Sequence, residues 1–112
     1  MEGTWRDQLE VPVAKLEKYL LAVNHPVGGP KAVFFLRFGF SPDEPGLLRD
    51  VLLNHGRTGT VKAEPDTEHG STFVVEGPID TPRGAQVLIR SVWIQLKDDA
   101  TVRFVTAYPI GR

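Results

Sequence analysis

Residues 85–108 read Ala-Gln-Val-Leu-Ile-Arg-Ser-Val-Trp-Ile-Gln-Leu-Lys-Asp-Asp-Ala-Thr-Val-Arg-Phe-Val-Thr-Ala-Tyr, and they decide the fold. Ala85–Leu96 is rich in Val, Ile and Trp and predicts the longest strand. Lys97–Ala100 is hairpin-turn chemistry, and Thr101–Tyr108 predicts a last strand. On the first strand Val87, Ile89, Ser91 and Trp93 alternate with Leu88, Arg90, Val92, Ile94 and Leu96. On the last, simple alternation sets Val102, Phe104, Thr106 and Tyr108 opposite Arg103, Val105 and Ala107. Neither strand shows a cleanly wet face. Helices can cover one face only, so the second is an interface, a ligand cleft, or a surface shielded by the N-terminal segment with Trp5.

Working outward, Thr58–Ala63 predicts a short strand. An acidic turn, Glu64–Gly70, then leads to a strand over Ser71–Gly77, and Asp80–Gly84 is a tight connection. N-terminal to these the apolar period is helical. Val13, Leu16, Leu20 and Val23 predict an amphipathic helix over 13–23, ended by Asn24-His25-Pro26. Pro30 suits a first helical position, so a second helix runs over 30–38 and stops at Gly39. Ser41 with Glu44 reads as a capping box for a third helix over 42–54, its apolar face Leu47, Leu48, Val51 and Leu52, ended by Gly56. The reading is α+β: three N-terminal helices packed on a four-stranded antiparallel sheet, residues 1–112 forming one domain.

The chain has 112 residues with 13 Lys+Arg against 14 Asp+Glu, a formal charge of −1, and 41% hydrophobic residues. That composition supports a buried core and excludes a histone-like nucleic-acid coat, which needs a large basic excess. The neutral total is unevenly spread. Residues 41–80 carry three basic and eight acidic side chains, whereas 81–112 carry five against two. One local anion site and electrostatic self-association both remain compatible with it. Cysteine is absent, which removes disulfides and thiolate chemistry. No signal peptide or membrane-spanning run is readable, so a cytoplasmic protein is expected.

Arg90 interrupts an apolar row and must find partners. It is either a structural pair with a carboxylate or carbonyls, or an anion clamp at the mouth of a cleft. His25 stands beside Gly28-Gly29-Pro30-Lys31, where free helix amides, a glycine turn and Lys31 make a candidate anion site with His25 as acid or base. His55 falls in the last turn of the third helix, where the helix dipole favours a cation. His69 reads as solvated. No residues have metal-ligand spacing, no serine has a nucleophile-elbow context, and no cofactor is implied.

Lys15-Leu16 with Tyr19-Leu20-Leu21, His25–Ala32, Phe35 and Gly39-Phe40, followed by Thr81–Gly84, Arg90–Trp93 and Arg103–Pro109, together resemble an uncharacterised bacterial family, domain of unknown function 6883. A weaker, fold-level likeness is to the ribonuclease toxins typified by barnase, EndoU, colicin D and RelE. That second resemblance implies a metal-independent phosphate site in which His25 and Lys31 stand at the helix end and Arg90, Thr106 and Tyr108 on the sheet, with His25 and Tyr108 catalytic. Two functions follow as expectations. The first is a non-catalytic interaction module, or one member of a two-gene system, binding a protein partner or a second copy through the second sheet face. The alternative is a toxin-like ribonuclease acting on RNA without a metal.

Overall fold

The computed structural model describes residues 5–22 and 29–110. A single 3₁₀ turn, Trp5–Gln8, leads into strand β1 (Leu9–Glu10), helix α1 (Val13–Lys15) and a π-helix, Leu16–Leu20. Helices α2 (Gly29–Arg37) and α3 (Pro45–Thr58) follow, then strands β2 (Thr60–Ala63), β3 (Asp66–Thr67), β4 (Gly70–Asp80), β5 (Gln86–Leu96) and β6 (Val102–Pro109). The sheet order is β1-β6-β5-β4-β2, with β3 pairing β4 at its start. The α+β class and the antiparallel β2-β4-β5-β6 run match the reading of the sequence. The expected four-stranded antiparallel sheet is nonetheless a mixed one, because β1 adds in parallel to β6 through Leu9↔Val102 and Glu10↔Arg103.

The helical segment depends on how its leucines reach the core. The Leu21 N–H bonds the Leu16 carbonyl at 2.7 Å, an i→i+5 closure that widens the turn. Leu16, Leu20 and Leu21 thereby all turn inward, at 0%, 0% and 3% exposure. The uniform α-helix expected over 13–23 is replaced by α1 and this π-helix, and its last residue lies outside the described ones. Helix α2 ends as the sequence implies. Gly39 adopts φ +102°, its N–H bonds the Leu36 carbonyl, and the Phe40 N–H bonds that of Phe35. These two bonds close a Schellman cap that only glycine enters without strain.

Helix α3 begins at Pro45, three residues later than expected, and no capping box forms. The Ser41 hydroxyl is taken by the Asp43 N–H at 3.0 Å in the preceding turn, while Pro45 supplies a preset φ for the first helical position. Gly56 does not end the helix. It lies where α3 touches the sheet, and a Cβ there would fall 2.6 Å from Leu9 Cδ1 and 2.8 Å from Trp93 Cζ2. Glycine is therefore a packing requirement at this crossing.

Strands β4 and β5 pair without a break from Gly70↔Leu96 to Asp80↔Gln86. One face, with Phe73, Val75, Ile79, Ile89, Ser91 and Trp93, is buried under the helices. Trp5 stacks on Phe73 with ring centroids 4.3 Å apart, so the N-terminal segment adds to the covered side and does not shield the second face. Burying each large apolar side chain here contributes about 1.5–3 kcal/mol, which makes this face the main source of stability.

Strand β6 departs from simple alternation. It pairs Val92↔Thr106 and Trp93↔Phe104, leaving Val105 as a bulge. Val102, Phe104 and Ala107 are buried, whereas Thr106 and Tyr108 share the opposite face with Val92 and Arg90. The face assignment read from the sequence holds through Phe104 and inverts after it, since one extra residue moves every later side chain across the sheet.

Candidate functional site

The bulge gathers four of the five residues singled out in the sequence. Tyr108 stands opposite Arg90 across β5 and β6, and Thr106 opposite Val92, all on the face away from the core. Lys31, from the first turn of α2, reaches the same place. Its Nζ donates to Thr106 Oγ1 at 3.1 Å and lies 5.6 Å from the Tyr108 ring centroid. The Arg90 guanidinium carbon is 5.7 Å from that ring, and Arg90 Nη1 donates to the Tyr108 hydroxyl at 3.4 Å. Two cations within about 6 Å of one aromatic ring form an electropositive surface, each attracted by the ring's π face. His25 lies outside the described residues.

The sequence reading missed Glu76. It is the register partner of Arg90 on β4, and Arg90 Nε donates to Glu76 Oε2 at 2.8 Å, with Nη2 bonded to the same oxygen. Arg90 thus has the carboxylate partner that an arginine in an apolar row requires. The pair is not sealed in the core: the two side chains keep 36% and 21% of their exposure. The Tyr108 hydroxyl first, and the Glu76 carboxylate second, push the Arg90 pKa further up, so the charge is permanent. The signal for Glu76 was available in principle, since pairing Ser71–Gly77 against Ala85–Leu96 requires only the length of the intervening turn. Glu76, Arg90 and Tyr108 consequently form one row across three neighbouring strands.

Arg103 is exposed but not on a sheet edge. Strand β1 lies beside it, and its guanidinium faces Glu10 at 3.8 Å and Asp99 at 3.7 Å. His69 is exposed next to Glu68, as expected.

His55 requires a correction. It is 1% exposed and is not a cation resting at a helix end. Its Nε2 lies 3.2 Å from the carbonyl oxygens of Gly77 and of Ile89, and its Nδ1 2.7 Å from Ser91 Oγ. Carbonyls only accept, so Nε2 carries the proton and Nδ1 accepts from the Ser91 hydroxyl. Trp93 Nε1, a donor only, gives its hydrogen to Ser91 Oγ at 2.8 Å, which completes a directed chain Trp93→Ser91→His55→carbonyl. Burial pushes the His55 pKa down, opposed by the two carbonyl bonds. The serine–histidine bond resembles a catalytic pair in distance, but Ser91 is fully buried and no substrate reaches it.

A groove of about 390 Å³ lies between α3 and the β4–β5 connection, lined by Asp50, Asn54, Pro78, Asp80 and Gln86 among others, and none of Lys31, Glu76, Arg90, Thr106 and Tyr108 lines it. No group of three or more His, Cys, Asp or Glu able to hold a metal occurs among the described residues. No helix among them is long and apolar enough to cross a membrane.

In comparisons with known proteins, no curated protein sequence matches the chain. Its structure is similar to a chain of the contact-dependent growth inhibition toxin–immunity protein complex from Klebsiella pneumoniae 342. The TM-score is 0.71 at 17% identity, over 89% of this chain and 98% of that one. At that identity the likeness is one of fold. Over residues 5–111 the sequence itself matches the family described as Domain of unknown function (DUF6883), and the chain belongs to that family.

Proposed function

We propose that the outer face of β5 and β6 binds a phosphodiester and that the protein is a metal-independent, toxin-like ribonuclease. The observation that carries this reading is the convergence of Lys31, Arg90, Thr106 and Tyr108 on one half-exposed patch. RNA cleavage without a metal needs permanent cations to offset charge building on the phosphoryl oxygens. In this reading Lys31 and Arg90 supply them. Thr106 and Tyr108 hydroxyls orient the phosphodiester, and Tyr108, with His25, is a proton carrier. The β-bulge fits this role, because bulges recur beside active sites, where they re-aim a side chain. The resemblance in fold to a chain from a toxin–immunity complex adds support.

The test is incubation of purified protein with labelled total RNA in the presence of a chelator. Wild type is expected to cleave. Lys31→Ala, Arg90→Ala and Tyr108→Phe are each expected to slow cleavage at least tenfold, and His25→Ala tests the remaining assignment. Intact RNA after incubation with excess wild type sinks the reading.

A second reading, a non-catalytic partner-binding module, is favoured by the apolar part of the same face. Val74, Val92 and Ile94 are half-buried there, and Leu88 and Leu96 are 51% and 45% exposed. Its test is sedimentation velocity. A concentration-dependent dimer that Val92→Glu abolishes, together with intact RNA, would favour this reading over the first.

A further inference from the structure

We propose that Glu76 is the general base of this site and that the substrate is a phosphodiester flanked by a ribose 2′-hydroxyl. This rests on the ribonuclease reading above and deepens it. The argument begins with how Arg90 holds the carboxylate. An arginine that merely neutralises a carboxylate often does so fork to fork, one N–H on each oxygen. Here Nε and Nη2 both bond Oε2. Among the described residues no hydrogen bond reaches Oε1. One oxygen fixes the group while the other retains its capacity to accept a proton. The third guanidinium nitrogen, Nη1, is committed to the Tyr108 hydroxyl, so a single arginine sets base and hydroxyl in fixed relation. Glu76 keeps 21% of its side-chain exposure, so it is accessible from the face that carries Lys31 and Thr106.

The chemistry balances without a metal or a second reactant. Glu76 Oε1 takes the proton of the 2′-hydroxyl, whose oxygen bonds to the adjacent phosphorus as the bond from phosphorus to the 5′ oxygen breaks. The leaving 5′ oxygen takes the Tyr108 hydroxyl proton. The products are a 2′,3′-cyclic phosphate and a 5′-hydroxyl. Glu76 then returns its proton to solvent and Tyr108 recovers one. Lys31 and Arg90 offset the phosphoryl charge throughout. A deoxyribose chain lacks the nucleophile, so DNA would bind without being cut.

The experiment uses a fluorescent DNA oligonucleotide containing a single ribonucleotide, with the all-DNA oligonucleotide as control. Binding is read by anisotropy and products by mass. Wild type is expected to bind both and to cut only the first, leaving a cyclic phosphate. Glu76→Gln is expected to bind within about threefold of wild type and to cut at least about 100-fold more slowly, the scale of a lost general base. Glu76→Asp, which keeps the carboxylate, should cut faster than Glu76→Gln. Cleavage by a folded Glu76→Gln within fivefold of wild type overturns the proposal while leaving the ribonuclease reading intact. Equal loss of binding and cleavage also overturns it, since Glu76 would then only hold Arg90. If Glu76→Gln fails to fold, a folded Glu76→Ala that cuts within fivefold of wild type does the same. Wild type that binds RNA but never cuts it overturns both readings.

Discussion

His55 and Ser91 show what a single buried polar residue contributes. The chain Trp93→Ser91→His55 leaves no polar atom of the three unpaired. Ser91→Ala would strand the Trp93 N–H and the His55 Nδ1 together, so a loss of about 2–5 kcal/mol is expected, measurable by urea denaturation. The same residue sets a pH dependence. His55 is held neutral in the fold, with its pKa below the ordinary 6.5. Above about pH 6.5 neither folded nor unfolded chain is protonated there, and the stability is fully present. As pH falls through 6.5 the unfolded chain binds the proton first, so stability declines until the lower folded pKa is reached. Urea midpoints at pH 7.5 and pH 5.5 should differ, and His55→Gln should reduce the difference. None of this was legible in the sequence. The helix-end position of His55 has a sufficient local explanation, whereas its actual partners are carbonyls of Gly77 and Ile89, far along the chain.

At the scale of elements, what could be read was periodicity, and what could not was its interruption. The paired strands β4, β5 and β6 and helix α2 follow from alternation, helical spacing and the Gly39 stop. The two-residue β1 has no period to detect, and the π-helix has the same leucines as an α-helix would. Gly56 was misread as a terminator because composition alone does not separate a cap from a contact. Gly56→Ala should therefore destabilise by about 1–3 kcal/mol through overpacking, although alanine favours helix. A thermal melt decides it, and an unchanged or higher Tm would contradict the packing account. The Val105 bulge carries no glycine or proline to announce it. Lys31 and Arg90 were identifiable from residue type and context, Thr106 and Tyr108 only through the resemblance to the ribonuclease toxins. That Thr106 and Tyr108 join the face of Arg90, and that Glu76 completes the row, came only with the register.

For the whole molecule, the charge of −1 bears on the RNA binding proposed above. The acidic stretch 41–80 includes Asp50 and Asp80 at the groove between α3 and the sheet, while Lys31 and Arg90 lie on the outer face. Binding through two cations predicts a shallow salt dependence, a slope of about −1.4 in log K against log salt for a single strand. A slope steeper than about −4 would mean that more cations than Lys31 and Arg90 hold the RNA, and would overturn this two-cation account. One residue also governs the outer face in a way that resembles a parity bit in a message. The letters from Thr106 to Tyr108 are read correctly only because Val105 is counted without being paired. Pairing Val105 in regular alternation would turn Ala107 to solvent and Tyr108 to the core, whereas deleting it would leave both faces as they are. Whether this one residue is paired or passed over thus changes the meaning of every residue after it in the strand.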